Sequence, residues 1–195
     1  VDRCLTPLLL NQWYAGQSGI PLAIKQADVL EYAPRHEFDL ICTHSFLGFF
    51  TATDRARLVN AWFRMLKPGG VIVTAQRVRP QERSDLIGYS PEQIVAFGQR
   101  ARALAESRHN TVGLDPATVE QLATAYAGRY TSHVISSVTE LKNLFIEAGF
   151  HIREFSPPQQ TIMADHPGAP EDTSSKRWRI LVQKPYDALE PGALP

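Results

Sequence analysis

The chain has 195 residues, 44% of them hydrophobic, and its 20 lysines and arginines balance its 20 aspartates and glutamates. This length supports one sizeable core with a small insertion, and the balanced charge gives no reason to expect nucleic acid or an anionic membrane as a partner. Cys4 and Cys42 lack metal-ligand spacing and are too few for a disulfide framework. We therefore expect a cytoplasmic protein that binds neither nucleic acid nor a membrane.

The first 75 residues alternate between predicted helices and short apolar strands. Thr6 and Pro7 are typical of a helix start, and Pro68 with two glycines is typical of a helix stop. In chain order we predict the end of a strand at Asp2, a helix over 6–16, a strand over 21–27, a strand over 38–43, a helix over 51–66 that begins with a capping box, a turn at 67–70 and a strand over 71–75. This order predicts βαβ units in a parallel sheet.

The pattern changes between residues 80 and 136, where we predict two helices and no strand. One helix begins at Ser90-Pro91 and the other at Asp115-Pro116. Regular order resumes with a capping box at Ser137, and the remaining predictions are a helix over 138–148, a strand over 150–156, a loop over 157–175, a strand over 177–184 and a flexible tail over 185–195. The insertion is expected to form a helical cap over the carboxyl ends of the strands.

The most specific motif is Leu-Lys-Pro-Gly-Gly at 66–70, which precedes the hydrophobic strand over 71–75. Together with the strand over 38–43, the aspartates at 2 and 28 and the closing helix–strand–loop–strand order, it resembles the class I S-adenosylmethionine-dependent methyltransferases. The resemblance covers almost the whole chain. It implies an α/β fold with a Rossmann-like mixed sheet, mostly parallel with an antiparallel C-terminal strand, and a methyltransferase-like domain over 1–184 that carries the helical insertion over 80–136.

The resemblance implies S-adenosyl-L-methionine as the cofactor, held at the ends of the first strands. Asp2 would accept hydrogen bonds from the ribose hydroxyls, and Asp28 would accept one from the adenine amino group while the Val29 N–H donates to the ring. The alternative for each aspartate is a loop residue that caps its own turn. The expected cofactor-binding residues are Asp2, Arg3, Ala27, Asp28, Val29, Thr43, His44 and Ser45.

The acceptor is expected beside the end of the strand over 38–43. His44 is the candidate catalytic base for a hydroxyl or a protonated amine, although packing or backbone contacts are its alternative role. The expected substrate residues are Phe46, Phe49, Arg77, Arg79 and Tyr89, and the two arginines would hold a carboxylate or phosphate of the acceptor. The insertion also carries Arg83, Arg100, Arg102, Arg108 and Tyr130, most of which are expected on solvated faces.

These features predict an S-adenosylmethionine-dependent methyltransferase that acts on a small molecule. Thr-His-Ser-Phe at 43–46 differs from the Asn/Asp-Pro-Pro-aromatic motif of relatives that methylate amide or base nitrogens, and no carboxylate cluster indicates a metal site. A non-catalytic scaffold domain and a nicotinamide-dependent oxidoreductase remain alternatives. We also expect the family's first strand and glycine-rich loop to lie upstream of Val1, so that these residues alone bind the cofactor weakly or not at all. The acceptor and the oligomeric state are left open.

Overall fold

The computed structural model describes residues 1–80, 82–107, 113–157 and 176–187. Arg108, most of the predicted loop over 157–175 and the tail from residue 188 lie outside the described residues. The helices are α1 (Leu5–Gln17), α2 (Ala52–Met65), α3 (Pro91–Ser107), α4 (Pro116–Arg129) and α5 (Val138–Glu147), and a short 3₁₀ helix covers Phe46–Phe49. The strands are β1 (Phe38–His44), β2 (Leu66–Val78), β3 (Leu86–Gly88), β4 (Thr131–His133), β5 (His151–Ser156) and β6 (Lys176–Gln183).

Four of the strands form one mixed sheet in the order β1-β2-β6-β5. β1 and β2 are parallel, whereas β6 runs antiparallel to both of its neighbours, β2 and β5. β2 therefore lies inside the sheet, and the closing strand reverses direction. This confirms the predicted α/β fold with a mixed sheet and an antiparallel C-terminal strand.

The hydrophobic core lies between one face of this sheet and the helices α2 and α5. Leu58 and Val59 of α2, Leu141 and Phe145 of α5 and Ile72 of β2 are all fully buried. The predicted capping boxes hold the starts of these two helices. Thr51 Oγ1 accepts a hydrogen bond from the Asp54 N–H, and Ser137 Oγ accepts from the next turn of α5.

Two predictions for the first 30 residues were wrong in detail. The first helix begins at Leu5, with Cys4 as its N-cap, and not at Thr6. Asp2 Oδ1 accepts a hydrogen bond from the Cys4 N–H at 2.7 Å, and the helix starts two residues earlier than Thr6 as N-cap and Pro7 as first helical residue would indicate. The predicted strand over 21–27 is reduced to a single parallel bridge, in which Gln26 pairs with Asp2.

The predicted turn at 67–70 belongs to a longer strand. β2 starts at Leu66, which pairs with Phe38, and the register of β1 shifts before Leu40 pairs with Val71. The Pro-Gly-Gly segment thus forms an irregularity within the ladder. Gly69 has φ +79°, and a Cβ atom there would meet the Tyr186 ring. Glycine at 69 is therefore required by both the backbone and the close approach.

The prediction that residues 80–136 lack strands was also wrong. β3 and β4 pair in antiparallel register, with Leu86 opposite His133 and Gly88 opposite Thr131. Both predicted helices are present between these strands, and α3 packs directly against α4. The two short strands were missed because each has only three residues and their pairing joins positions more than 40 residues apart.

Arg55 of α2 connects this hairpin to the 3₁₀ helix that follows β1. Its side chain is 2% exposed, and its guanidinium donates to the carbonyl oxygens of Leu47, His133 and Val134 at 2.9–3.1 Å. Glu140 lies 3.4 Å away and completes the group. One buried cation from α2 thereby joins the 3₁₀ helix after β1 to β4, which brings the insertion to the carboxyl end of β1.

None of the helices in the described ranges is long and apolar enough to cross a membrane.

Candidate active site

A cavity of about 160 Å³ lies at the carboxyl ends of β1 and β2. His44 and Ser45 line it from the end of β1, Arg77 lines it from the end of β2, and Ser132 and His133 line it from β4. Ligands of open α/β sheets bind beyond the carboxyl ends of the strands. The position of this cavity makes it the candidate active site.

Two features of Ser45, its left-handed backbone and its side-chain oxygen without a partner among the described residues, are typical of residues at functional sites. Its backbone is left-handed, with φ +52°, and its N–H donates to the Ala75 carbonyl oxygen at 2.7 Å. Such backbone is uncommon outside glycine and is concentrated at functional sites. Within the part of the chain that the structure describes, the buried Ser45 Oγ has no hydrogen-bond partner. Buried polar atoms without a partner are uncommon, and this one belongs to a residue that lines the cavity.

Thr43 stabilises the end of β1 through hydrogen bonds to β2. Its Oγ1 donates to Thr74 Oγ1 at 2.8 Å, and Gln76 Nε2 donates to the same oxygen at 2.6 Å. Gln76 Oε1 in turn accepts from the Leu47 N–H at 3.2 Å. This network joins β1, β2 and the 3₁₀ helix, so Thr43 holds the loop that carries His44 and Ser45.

The surroundings of His44 disfavour its protonated form. Partial burial lowers its pKa from the ordinary value of 6.5, and the positive charges of Arg177 and Arg77 lower it further. A neutral imidazole nitrogen can accept a proton at neutral pH. The same burial and charges disfavour the imidazolium that forms when the ring accepts a proton, so they weaken His44 as a base, and its catalytic role stays a prediction.

The predicted adenosine-binding residues form a second group around Asp2 and Asp28. Asp2 pairs with Gln26, and Arg3 Nη1 lies 3.6 Å from Asp28 Oδ2. Each aspartate also caps its own turn, because Asp2 accepts from the Cys4 N–H and Asp28 accepts from the Leu30 N–H at 2.9 Å. A carboxylate has about four lone-pair sites, so capping leaves capacity for a ligand.

The predicted cofactor residues thus fall into two places. Asp2, Arg3, Ala27 and Asp28 come together through the bridge and the ion pair, and Val29 packs against the core. His44 and Ser45 line the cavity, whereas the described residues of the first group do not.

The predicted substrate residues are also divided. Arg77 and Arg79 line the cavity. Tyr89 does not, but its ring lies 5.3 Å from that of Tyr130, which does. Phe46 packs against the core with its ring 6.3 Å from Trp62. Phe49 is 59% exposed beside it.

The arginines of the insertion face different surroundings. Arg102 lies on α3, half exposed, and pairs with Glu106 and Glu120. The Arg100 guanidinium lies 6.0 Å from the centre of the Phe97 ring. Neither lines the cavity, in agreement with the expectation that these arginines occupy solvated faces.

Sequence reasoning missed Arg177, Ser132 and His133. Arg177 lies at the start of β6 and reaches the cavity because the antiparallel register sets it opposite Arg77. The alternating strand pattern locates Arg177 near a strand start, but only the register shows its neighbour. Ser132 and His133 lie on β4, the strand that was not predicted.

Comparison with known proteins supports the methyltransferase fold that the sequence predicts. Residues 7–74 match the family model described as a methyltransferase domain. A methyltransferase structure from Mesorhizobium loti is 17% identical, with a TM-score of 0.51 over 88% of this chain and 75% of its own. The methyltransferase SibL in its apo form is 13% identical, with a TM-score of 0.51 over 94% of this chain and 42% of its own. The chain has the class I methyltransferase fold.

The 4+2 cyclase SpnF shares this fold as well, with 14% identity and a TM-score of 0.53 over 88% of this chain and 60% of its own. The chain therefore spans about 60% of SpnF and less than half of SibL. No curated protein sequence matches the chain significantly. The resemblance inferred from Leu-Lys-Pro-Gly-Gly is confirmed, and the family match indicates S-adenosylmethionine as the cofactor. Among the described residues, no group of His, Cys, Asp and Glu is placed to hold a metal ion.

Proposed function

We propose that the chain transfers a methyl group from S-adenosylmethionine to a small molecule bound at the carboxyl ends of β1 and β2. The observation that carries this proposal is the cavity at the carboxyl ends of β1 and β2, which His44 and Ser45 line. Fold alone does not imply a reaction. The family match to residues 7–74 favours methyl transfer over a nicotinamide-dependent oxidation or a scaffold role.

The group around Asp2 would hold the adenosine part of the cofactor. The Asp2 carboxylate, already anchored by the Cys4 N–H, would accept from the ribose hydroxyls. Asp28 would accept from the adenine amino group, with Arg3, Ala27 and Val29 beside it. Ser45 and the backbone at Thr43 and His44 would meet the methionine end. In this proposal the two groups of residues would bind the two ends of one elongated ligand.

The cavity would orient the acceptor and move its proton. S-adenosylmethionine supplies an electrophilic methyl group on a positively charged sulfur when it is bound. His44 would accept the proton of a hydroxyl or ammonium acceptor before or during transfer. The insertion over 80–136 would close the site as a cap and exclude water, with β4 as its inner wall.

Calorimetric titration of the full-length protein with S-adenosylhomocysteine tests the cofactor assignment. We expect saturable binding that Asp2→Ala weakens by about 1–3 kcal/mol, the usual cost of leaving a buried polar partner unpaired. Asp39→Ala is the matched control, because Asp39 is 82% exposed and pairs with Lys67 at the opposite end of β1. Absence of binding by the unmodified protein, or equal affinities for the Asp2 and Asp39 variants, would contradict the proposal.

A further inference from the structure

Two arginines stand directly opposite each other at the end of the sheet. Arg77 of β2 and Arg177 of β6 are register partners in the antiparallel ladder. Directly opposed side chains on antiparallel strands have Cβ atoms about 4.5–5.5 Å apart, and like charges at such positions destabilise the pair. The stability of the sheet therefore does not explain why arginine occupies both positions.

Both arginines line the candidate cavity, and a third joins them. Arg79 lies two residues beyond Arg77, is 6% exposed and donates its N–H to the Ile135 carbonyl oxygen at 2.8 Å. Burial lowers the pKa of Arg77, and the charges of Arg177 and Arg79 lower it further. The same field, from Arg177 and Arg77, acts on His44. Three positive charges thus influence one another across a small volume.

The remaining lining suits an anion. The described residues around the cavity include hydroxyl and imidazole groups at Ser132, His133 and Tyr130, and they include no aspartate or glutamate. A volume of about 160 Å³ is at least ten times the roughly 10–15 Å³ that a cavity needs to hold one water, so it admits a small charged group with part of its carrier. The cavity therefore combines a concentrated positive charge with the size of a small-molecule functional group.

We propose that Arg77 and Arg177 form a binding subsite for an anionic group, a carboxylate or a phosphate, on the methyl acceptor. Guanidinium groups present planar pairs of N–H donors that match the oxygens of both anions. Arg79 adds charge from the buried side. An anion between the two guanidinium groups would be attracted by both, and its binding energy would orient the acceptor toward His44 and Ser45. This assignment rests on the proposed function, because it identifies the anion as part of the acceptor.

Anion titration of the full-length protein at constant ionic strength tests the subsite without a known acceptor. Sodium phosphate and sodium acetate are the probes, and chemical shifts or calorimetry give the affinities. We expect saturable binding of at least one probe, and the tighter probe identifies the anion. Arg77→Gln and Arg177→Gln should each weaken that binding about tenfold, a typical effect of losing hydrogen bonds to a charged group.

Arg179→Gln is the matched control. Arg179 lies two residues along the same strand, is exposed, pairs with Glu154 and does not line the cavity. Its variant should bind the probe within twofold of the unmodified protein. Because Arg177 is also exposed, its variant keeps the test decisive if Arg77→Gln fails to fold. An equal loss in the Arg179 variant would show a general surface charge effect and overturn the subsite, as would a lack of saturable binding of either probe.

Parallel titration with S-adenosylhomocysteine separates this inference from the proposed function. Arg177→Gln should keep its S-adenosylhomocysteine affinity within twofold. A tenfold loss would assign the anion to the carboxylate of the cofactor and overturn the acceptor subsite. If the unmodified protein binds S-adenosylhomocysteine but neither anion, the subsite fails and the proposed function stands. If it binds an anion through Arg177 but no S-adenosylhomocysteine, the proposed function fails and anion recognition by the two arginines is supported.

Discussion

Removal of the Arg55 side chain is expected to destabilise the protein and loosen the wall of the candidate site. Arg55 is 2% exposed and donates to three backbone carbonyl oxygens, on Leu47, His133 and Val134, at 2.9–3.1 Å. Arg55→Met keeps much of the apolar stem but removes the guanidinium donor from all three oxygens, of which the Leu47 oxygen still accepts from the Phe50 N–H at 3.2 Å. The change in stability of this variant therefore measures how much the Arg55 contacts between the 3₁₀ helix and β4 contribute.

The magnitude follows from the three acceptors. A hydrogen bond to a charged group contributes about 1.5–3 kcal/mol, and such contributions overlap within one network. The bridge to Glu140 adds little, because Glu140 is 37% exposed. We expect Arg55→Met to lower the free energy of unfolding by about 3–5 kcal/mol, a large share of the 5–15 kcal/mol typical of a domain. Arg55→Lys keeps the charge but cannot reach all three oxygens, and should lose about 1–3 kcal/mol.

Urea denaturation gives the comparison, with the midpoint and slope fitted for each variant. Arg57→Met is the matched control on the same helix, because Arg57 is 56% exposed and pairs only with exposed or half-exposed carboxylates at Asp54 and Glu31 among the described residues. Its loss should stay within about 1 kcal/mol. A cost below about 1 kcal/mol for Arg55→Met, or equal costs for the Arg55 and Arg57 variants, would refute the role assigned to the buried guanidinium.

Two glycines and one histidine give further tests. Gly98→Ala should cost about 1–3 kcal/mol, because a Cβ atom there collides with α4. Gly128→Ala should stabilise by about 0.5–1 kcal/mol in the same denaturation assay, because no atom lies within 4 Å of its added Cβ and alanine favours the helix. Equal effects of the two would contradict the α3–α4 packing. Burial, then Arg177 and Arg77, lower the pKa of His44, so its imidazole resonances should titrate below pH 6.5 and shift upward in Arg177→Gln. A lowered pKa means that the unfolded chain binds more protons, so His44 should reduce stability as the pH falls below 6.5; titration at or above 6.5 would contradict this.

Local signals in the sequence determined most of the elements. The capping boxes at Thr51 and Ser137 set the starts of α2 and α5, and Pro91 and Pro116 set those of α3 and α4. These signals act within one turn of helix, so they are readable without knowledge of the rest of the chain. The motif at 66–70 and the order of the strands were enough to predict the mixed sheet and the methyltransferase resemblance. The candidate residues at 43–45 and at 77 and 79 follow from the same order, since they come directly after predicted strands.

Only the tertiary structure decided which distant residues meet. The pairing of Arg77 with Arg177 depends on strand register across about 100 residues, and a shift of one position would send either side chain to the other face. The hairpin of β3 and β4 and the position of Arg55 beneath it also depend on such long-range contacts. The stretch over 21–27 has the composition of a strand but meets a partner only at Asp2. Strand hydrogen bonds form with residues that are close in space, whereas the composition of a segment indicates only its own preference for extended backbone.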